Sequence, residues 1–333
     1  MELSVVVPTL NGRDRLARCL DSLAENAPDA EVVVVNGPSA DGTSGMVRER
    51  DDVDILLEIS DRNINVARNA GVRAAAGDVI ALLDDGFCVD PGWSGAIEAA
   101  TTRADVVTGL TDHELGGRSP TAAEKTERIA GRPVTHFDGG NVAFTRPTIE
   151  GIDGFDERVH VGGAVDAAHR LAGRRATVEW NPDMVVRRAV GTDGGENAPR
   201  APRSHVRSGA FDGNTAHRSF TYCLVKNYGP RPAVVLAFAN ALRTRRVGRE
   251  TGVGRNPADE RSPASDGNTD RNDDRDEGRS PIRWLGNCRS AACNVIVGTR
   301  DGLLARMRDQ SDRRNPNGVT ARADRAVERY DWR

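Results

Sequence analysis

Two adjacent carboxylates, Asp84 and Asp85, end the apolar run Asp78–Leu83 and are followed by Gly86. At the carboxyl end of a buried strand such a pair repels itself unless a cation or a hydrogen-bond network lies between the two groups. Unpaired charge is costly there, so a purely structural role is the weaker expectation. A divalent magnesium or manganese ion, held by one or two carboxylates together with substrate phosphates, suits the pair. Asp84 and Asp85 are therefore the candidate metal ligands. Two other apolar runs end in polar turns. The first leads into Pro8-Thr9-Leu10-Asn11-Gly12, where backbone groups and the Asn11 side chain are free to touch a ligand. The second leads into Asn36-Gly37-Pro38-Ser39-Ala40-Asp41-Gly42-Thr43, in which Asn36 could hydrogen-bond a base or ribose. Ser39 there is a helix N-cap candidate with backbone N–H groups suited to an anion. Taken singly, each segment also reads as an ordinary turn with a cap.

Strands must bring these ends together. Apolar runs at Leu3–Pro8, Glu31–Val35, Val53–Ile59, Asp78–Leu83 and Asp105–Leu110 alternate with helical stretches. Those stretches are the one carrying Leu16, Cys19, Leu20 and Leu23, then Ser39–Arg50, Asn63–Ala76 and Pro91–Ala100. Alternation of this kind predicts an α/β fold, a Rossmann-like, mostly parallel sheet with helices on both faces. Ligands bind such sheets at the carboxyl ends of the strands. Beyond residue 110 a helix is expected over Thr121–Ile129, a strand at Val142–Phe144, a helix over Val165–Leu171, and strands at Thr177–Trp180 and Met184–Arg188.

The net charge of −3 conceals an asymmetry. Residues 1–200 carry 33 acidic against 21 basic residues, and residues 201–333 carry 16 against 25. Lys125 and Lys226 are the only lysines; arginine supplies the other 44 of the 46 basic residues. Residues 205–249 hold eight basic residues and one acidic one, mixed with aromatics, and could lie on an anionic membrane surface. A helical appendage packed on the domain is the rival reading, and the acidic head disfavours nucleic acid. Residues 250–281 nearly lack large apolar groups and read as a disordered linker. The expected organisation is a domain over 1–200, a basic helical segment over 201–249, that linker, and a C-terminal helical segment over 282–333. The five cysteines have no C-x-x-C spacing and fit reduced thiols in the cytoplasm. No secretory leader or bilayer-length apolar stretch is expected; a peripheral position on the cytoplasmic face of a membrane is compatible with the basic segment.

Together these segments resemble the family 2 glycosyltransferases. The matching residues are Ser4–Asn11, Asn36–Thr43, Ala67-Arg68-Asn69-Ala70-Gly71, Asp84-Asp85-Gly86, Gly139-Gly140-Asn141-Val142-Ala143-Phe144 and Gly154-Phe155-Asp156-Glu157. The order and spacing of six motifs over roughly residues 3–190 carry the resemblance. It implies the GT-A fold, a nucleotide-diphospho-sugar donor, usually a divalent metal, and transfer with inversion to a glycan or lipid-linked acceptor, as in a hexosyltransferase. It also implies that Pro8, Thr9 and Asn11 line the nucleotide pocket, with Asn36, Ser39 and Asp41 on the donor side. Arg68 would approach base or phosphate, Asp84 and Asp85 would face ribose and metal, and Gly140 and Asn141 would shape the sugar or acceptor site.

Two positions depart from the family. The last carboxylate of its D-x-D motif falls on Gly86, and the general base of its G-E-D-x-D segment falls on Ala164 within Gly162-Gly163-Ala164-Val165-Asp166. An inverting transfer needs a base for the acceptor proton. Asp166 is the nearest surviving carboxylate and the candidate catalytic residue, with His169 and Asp153 as further candidates. Two readings stay open: an enzyme with a rearranged base, or a GT-A domain that binds a nucleotide sugar or a partner without turnover.

Overall fold

The computed structural model describes residues 1–112, 125–188, 213–230, 281–321 and 323–333. Nine strands form one sheet among these residues. In chain order they are β1 (Leu3–Thr9), β2 (Glu31–Asn36), β3 (Ile55–Ile59), β4 (Val79–Leu83), β5 (Phe87–Val89), β6 (Val106–Asp112), β9 (Asn141–Thr145), β10 (Val178–Arg188) and β11 (Ala326–Asp331). β7 (Lys125–Ile129) and β8 (Arg132–His136) make a separate hairpin. The sheet order is β11-β3-β2-β1-β4-β9-β6-β10-β5. β1 to β4, β6 and β10 share one direction, and β5, β9 and β11 run against them. The expected α/β sheet is present, and its β1, β2 and β4 ends lie side by side.

Burial on both faces explains why the central strands are nearly unbroken apolar runs. Every residue of β1 is buried. Val5 and Val7 enter one core while Val6 enters the other, the two-residue period of a strand. The first core is closed by α1 (Arg13–Asn26) through Leu16, Cys19, Leu20 and Leu23, and by α4 (Trp93–Thr101) through Trp93 and Ile97. The second is closed by α3 (Ile64–Ala74), α5 (Arg146–Gly151) and α6 (Gly163–Arg174). α2 (Thr43–Arg48) follows β2. Gly71 lets α3 sit on β1: a Cβ there would lie 2.2 Å from Val6 Cγ1.

Three expectations change. Residues 125–129 are strand, not helix, because Ala130 and Gly131 both adopt positive φ, 50° and 84°, the backbone of a tight hairpin turn. The two short strands expected at 177–188 are one strand, β10, whose register shifts between Asn181 and Val186. The C-terminal stretch is helical only in α8 (Pro281–Arg308); it ends in β11, which pairs antiparallel with β3. Of the basic segment, α7 (Gly213–Tyr228) is described. It turns Tyr222, Cys223, Leu224, Val225 and Tyr228 into buried positions, as the packed-appendage reading expects. Residues 231–249, and the linker expected at 250–281 up to residue 280, lie outside the described residues. No helix among those described is long and apolar enough to cross a membrane.

Candidate active site

The carboxyl ends of β1, β2 and β4 are stitched into one edge. The β1 turn needs a left-handed residue, and Asn11 takes φ 49°. Its side-chain carbonyl accepts from Ala40 N at 2.8 Å, and its own N–H donates to Ser39 Oγ at 2.8 Å. Ser39 Oγ in turn donates to Asn36 Oδ1 at 2.7 Å, and Asn36 Nδ2 donates to Ser44 Oγ at 2.7 Å. Burial would raise the Asp41 carboxyl, but hydrogen bonds from the Thr43 hydroxyl and from the Arg13 and Thr43 backbone N–H groups, these two at 3.0 and 3.1 Å, hold it below the usual range. These bonds account for the sequence signal at 36–43. Asn36, only 2 % exposed, spends both its polar atoms on shaping the loop instead of presenting them to a base.

Asp84 and Asp85 lie at this edge, as expected, but each faces a guanidinium. Asp85 Oδ2 accepts from Thr9 Oγ1 at 2.8 Å and from Arg15 Nη2 at 3.2 Å. Arg15 Nε lies 3.4 Å from Asp85 Oδ1. Asp84 Oδ1 is 3.4 Å from Arg68 Nη2, and Arg68 is 2 % exposed with its guanidinium carbon 5.3 Å from the Phe155 ring centre. Burial pushes the Asp84 carboxyl up to about 6; Arg68 opposes this, and the nearby Asp138 and Asp85 charges add to it. Gly140 is required beside it, since a Cβ there would fall 2.4 Å from Asp84 Cγ. The Arg68 Nε–H has no partner among the described residues.

Asn141 plays a different part from the one expected. It is wholly buried, donates to the carbonyls of Leu110 and Met184 at 3.2 and 3.1 Å, and accepts from Trp93 Nε1 at 3.0 Å. Both amide donors and the carbonyl tie β9 to β6, β10 and α4, so the side chain acts as a brace.

Asp166 requires a correction. It is fully buried, its carboxylate accepts from Arg170 Nε at 2.8 Å, from Lys226 Nζ at 2.8 Å and from Asn227 Nδ2 at 3.0 Å. Burial alone would raise its pKa, but Lys226 and Arg170 outweigh that and hold it well below the usual range. A carboxylate so paired and so far from solvent cannot take a proton from an acceptor. The two further candidates fare no better. Asp153 is engaged by Thr320 N and Oγ1 at 2.9 and 2.8 Å, and His169 Nδ1 sits 2.8 Å from the Tyr228 hydroxyl, with burial pushing the imidazole down to about 4.

Two residues that sequence reasoning passed over complete the edge. Arg15 is one; its signal was a lone arginine four residues after Asn11, indistinguishable from an exposed helical charge. Asp138, exposed and directly before Gly139-Gly140-Asn141, is the other. Its Oδ1 accepts from Gly140 N at 3.0 Å, and its charge is felt at Asp84. A Cβ on the neighbouring Gly139 would lie 3.2 Å from Ala164 Cβ, so the turn that follows Asp138 packs against Ala164.

As a metal site, the edge fits poorly. Both oxygens of Asp85 are engaged, Asp84 faces Arg68, and Gly86 offers no donor. The described residues contain no cluster of three His, Cys, Asp or Glu side chains able to hold an ion. A surface cleft of about 530 Å³ between α4 and β10, lined by Ala96, Arg103, Glu179 and Asp183 among others, contains none of the strand-end residues.

Residues 4–152 match the family model described as Glycosyl transferase family 2. The chain is 25% identical over 201 residues to glycosyltransferase AglE of Haloferax volcanii, covering 55% of this chain and 65% of that one. It is 40% identical over 154 residues to the succinoglycan biosynthesis protein ExoO of Rhizobium meliloti, covering 43% of each. The chain thus spans less than two thirds of either relative. Among solved structures, S. aureus TarS 1-349 in complex with UDP-GlcNAc aligns with a TM-score of 0.53 at 17% identity over 76% of each chain. The mannosyltransferase PcManGT of Pyrobaculum calidifontis, in complex with GDP-Man and Mn2+, aligns with a TM-score of 0.50 at 17% identity, over 93% of this chain and 88% of that one. The described architecture and these likenesses agree: the fold is that of the GT-A glycosyltransferases, and residues 4–152 are similar to the family 2 glycosyltransferase domain.

Proposed function

We propose that the chain transfers a hexosyl group from a nucleoside-diphospho-sugar to a hydroxyl of a glycan or lipid-linked acceptor, with inversion at the anomeric carbon. The observation that carries this reading is the gathering of Thr9, Arg15, Arg68, Asp84, Asp85 and Asp138 at one strand-end edge. The acceptor oxygen attacks the anomeric carbon as the bond from that carbon to the diphosphate oxygen breaks. The nucleoside diphosphate leaves with the electron pair, and the acceptor proton passes to a carboxylate. Asp138 is that carboxylate in this reading: it is exposed, oriented by the Gly140 N–H, and precedes the Gly139 that packs on Ala164. Pro8, Thr9 and Asn11 line the nucleotide side; Arg68, with an unpaired buried N–H, answers the donor's negative charge. Gly140 lets the Asp84 side chain pack against the turn before β9, on the side assigned to the sugar.

A glycan acceptor is supported by the likeness to a succinoglycan biosynthesis protein. Membrane association rests on the five arginines at 231, 243, 245, 246 and 249. Co-sedimentation of the full chain with phosphatidylserine-containing vesicles tests it: loss of binding on replacing Arg243, Arg245 and Arg246 by Glu supports a surface role, and equal sedimentation sinks it.

The activity is tested by a screen of nucleotide sugars, UDP- and GDP-linked hexoses first because solved neighbours hold UDP-GlcNAc and GDP-Man. The expected result is donor hydrolysis or transfer that Asp138→Asn abolishes. Tight donor binding with no turnover across the screen would favour instead a non-catalytic nucleotide-sugar-binding domain.

A further inference from the structure

We infer that Arg15 supplies the positive charge that a divalent cation gives other members of this fold, so that the site holds the donor diphosphate without a metal. This rests on the nucleotide-sugar reading above and goes beyond it.

The first support is steric. Gly86 stands where the family's acidic motif places its last carboxylate, and a Cβ built on Gly86 finds Arg15 Cδ, at 3.8 Å, as its nearest neighbour. The space into which that carboxylate would project is therefore the space beside the Arg15 stem. The second support is electrostatic. Arg15 reaches both oxygens of Asp85, at 3.2 and 3.4 Å, while Thr9 Oγ1 holds Oδ2 from the other side. A cation on Asp85 would have to displace a guanidinium that already neutralises it. The third is the state of the guanidinium itself. The Arg15 side chain keeps 22% of its surface exposed, and its Nη1 donors have no partner among the described residues. A planar fork with free N–H groups next to the β1 turn is suited to phosphate oxygens. Arg15 also lies in the first turn of α1, where the partial positive charge of the helix start has the same sign.

A lone surface ion pair would have little consequence for a ligand. The arrangement here differs because the absent carboxylate, the occupied Asp85 and the open face of the guanidinium all fall on one spot.

Calorimetric titration of the full chain with UDP, GDP, ADP and dTDP, in excess EDTA and then in excess MnCl2, is the test. The preferred diphosphate should bind with affinities equal to within about twofold in the two buffers. Arg15→Ala should weaken it by about 10- to 100-fold, as expected for losing a charge-assisted contact, while binding of the parent nucleoside changes little. Arg15→Lys should recover part of the loss, because it keeps the charge without the fork. Adding Gly86→Asp to Arg15→Ala should restore binding in manganese but not in EDTA. Circular dichroism melting of each variant establishes that it is folded. Binding by the parent only in manganese, or equal binding by parent and Arg15→Ala, would overturn the inference. A parent that binds no diphosphate in either buffer would instead remove the nucleotide-sugar reading itself.

Discussion

The strand-end edge and the junction of α6 with α7 each hold two carboxylates facing two cations, yet they are built in opposite ways. At the edge, Asp84 and Asp85 stand 3.4 and 3.2 Å from Arg68 and Arg15, and the Arg15–Asp85 pair keeps 22% and 11% of its side-chain surface exposed. At the junction, Asp156 and Asp166 share Lys226 Nζ at 2.7 and 2.8 Å, with all three side chains at 0% exposure. Tyr222, Asn227, Arg170 and Asn317 fill the remaining acceptor sites there. Loose, partly wet pairs can exchange one partner for a ligand; tight, dry, saturated ones cannot without leaving a bare charge in the core. The difference separates a binding edge from a structural clamp, although both read in sequence as acids near family motifs.

The largest effect should come from the proton acceptor. Asp138→Asn is expected to lower kcat by about 10²–10⁴-fold while leaving nucleoside diphosphate affinity unchanged; an equal fall from Asp166→Asn with an unaltered melting temperature would reverse the assignment of the two regions. Next, Lys226→Met leaves two buried carboxylates sharing a lost cation and should cost about 3–5 kcal/mol in denaturant unfolding. Arg15→Ala, at the wet edge, should cost under about 1 kcal/mol in the same experiment. Asn141→Leu removes the partners of two carbonyls and an indole N–H, so about 2–3 kcal/mol is expected, with unchanged diphosphate affinity if its role is bracing.

The last effect is one of pH. Asp84 is raised on folding to about 6, so the folded state binds the extra proton and its contribution falls as pH rises from about 4 to about 6. Asp166 is lowered on folding, so its contribution is present at neutral pH and is lost as pH falls below the ordinary carboxylate range. Relative to the parent, Asp84→Asn should therefore gain about 1–3 kcal/mol between pH 4 and pH 7. Asp166→Asn should lose its disadvantage only under acid. Denaturant melts across pH measure both, and parallel curves for parent and Asp84→Asn would show that Asp84 is not held in the raised state.

Much of the fold was legible because its cause is local. Runs such as Leu3–Pro8 and Asp78–Leu83 are apolar on both faces, and the helix bearing Leu16, Cys19, Leu20 and Leu23 repeats at helical spacing. The strand-end rule then pointed to Thr9, Asp84 and Asp85 without any coordinates. The hairpin at 125–136 was misread because its strands are polar and its turn is set by Ala130, an unusual residue at positive φ.

Residue type and order determined the alternating architecture, the family motifs and the two missing carboxylates at Gly86 and Ala164. Only the tertiary structure decided which of the remaining charges are paired and buried and which are left accessible. Arg15 meets Asp85 across 70 residues, Gly139 brings the turn after Asp138 against Ala164, and Lys226 closes on Asp166 across 60. Burial and partner geometry set the availability of a charge, and neither is a property of the residue's neighbours in the chain.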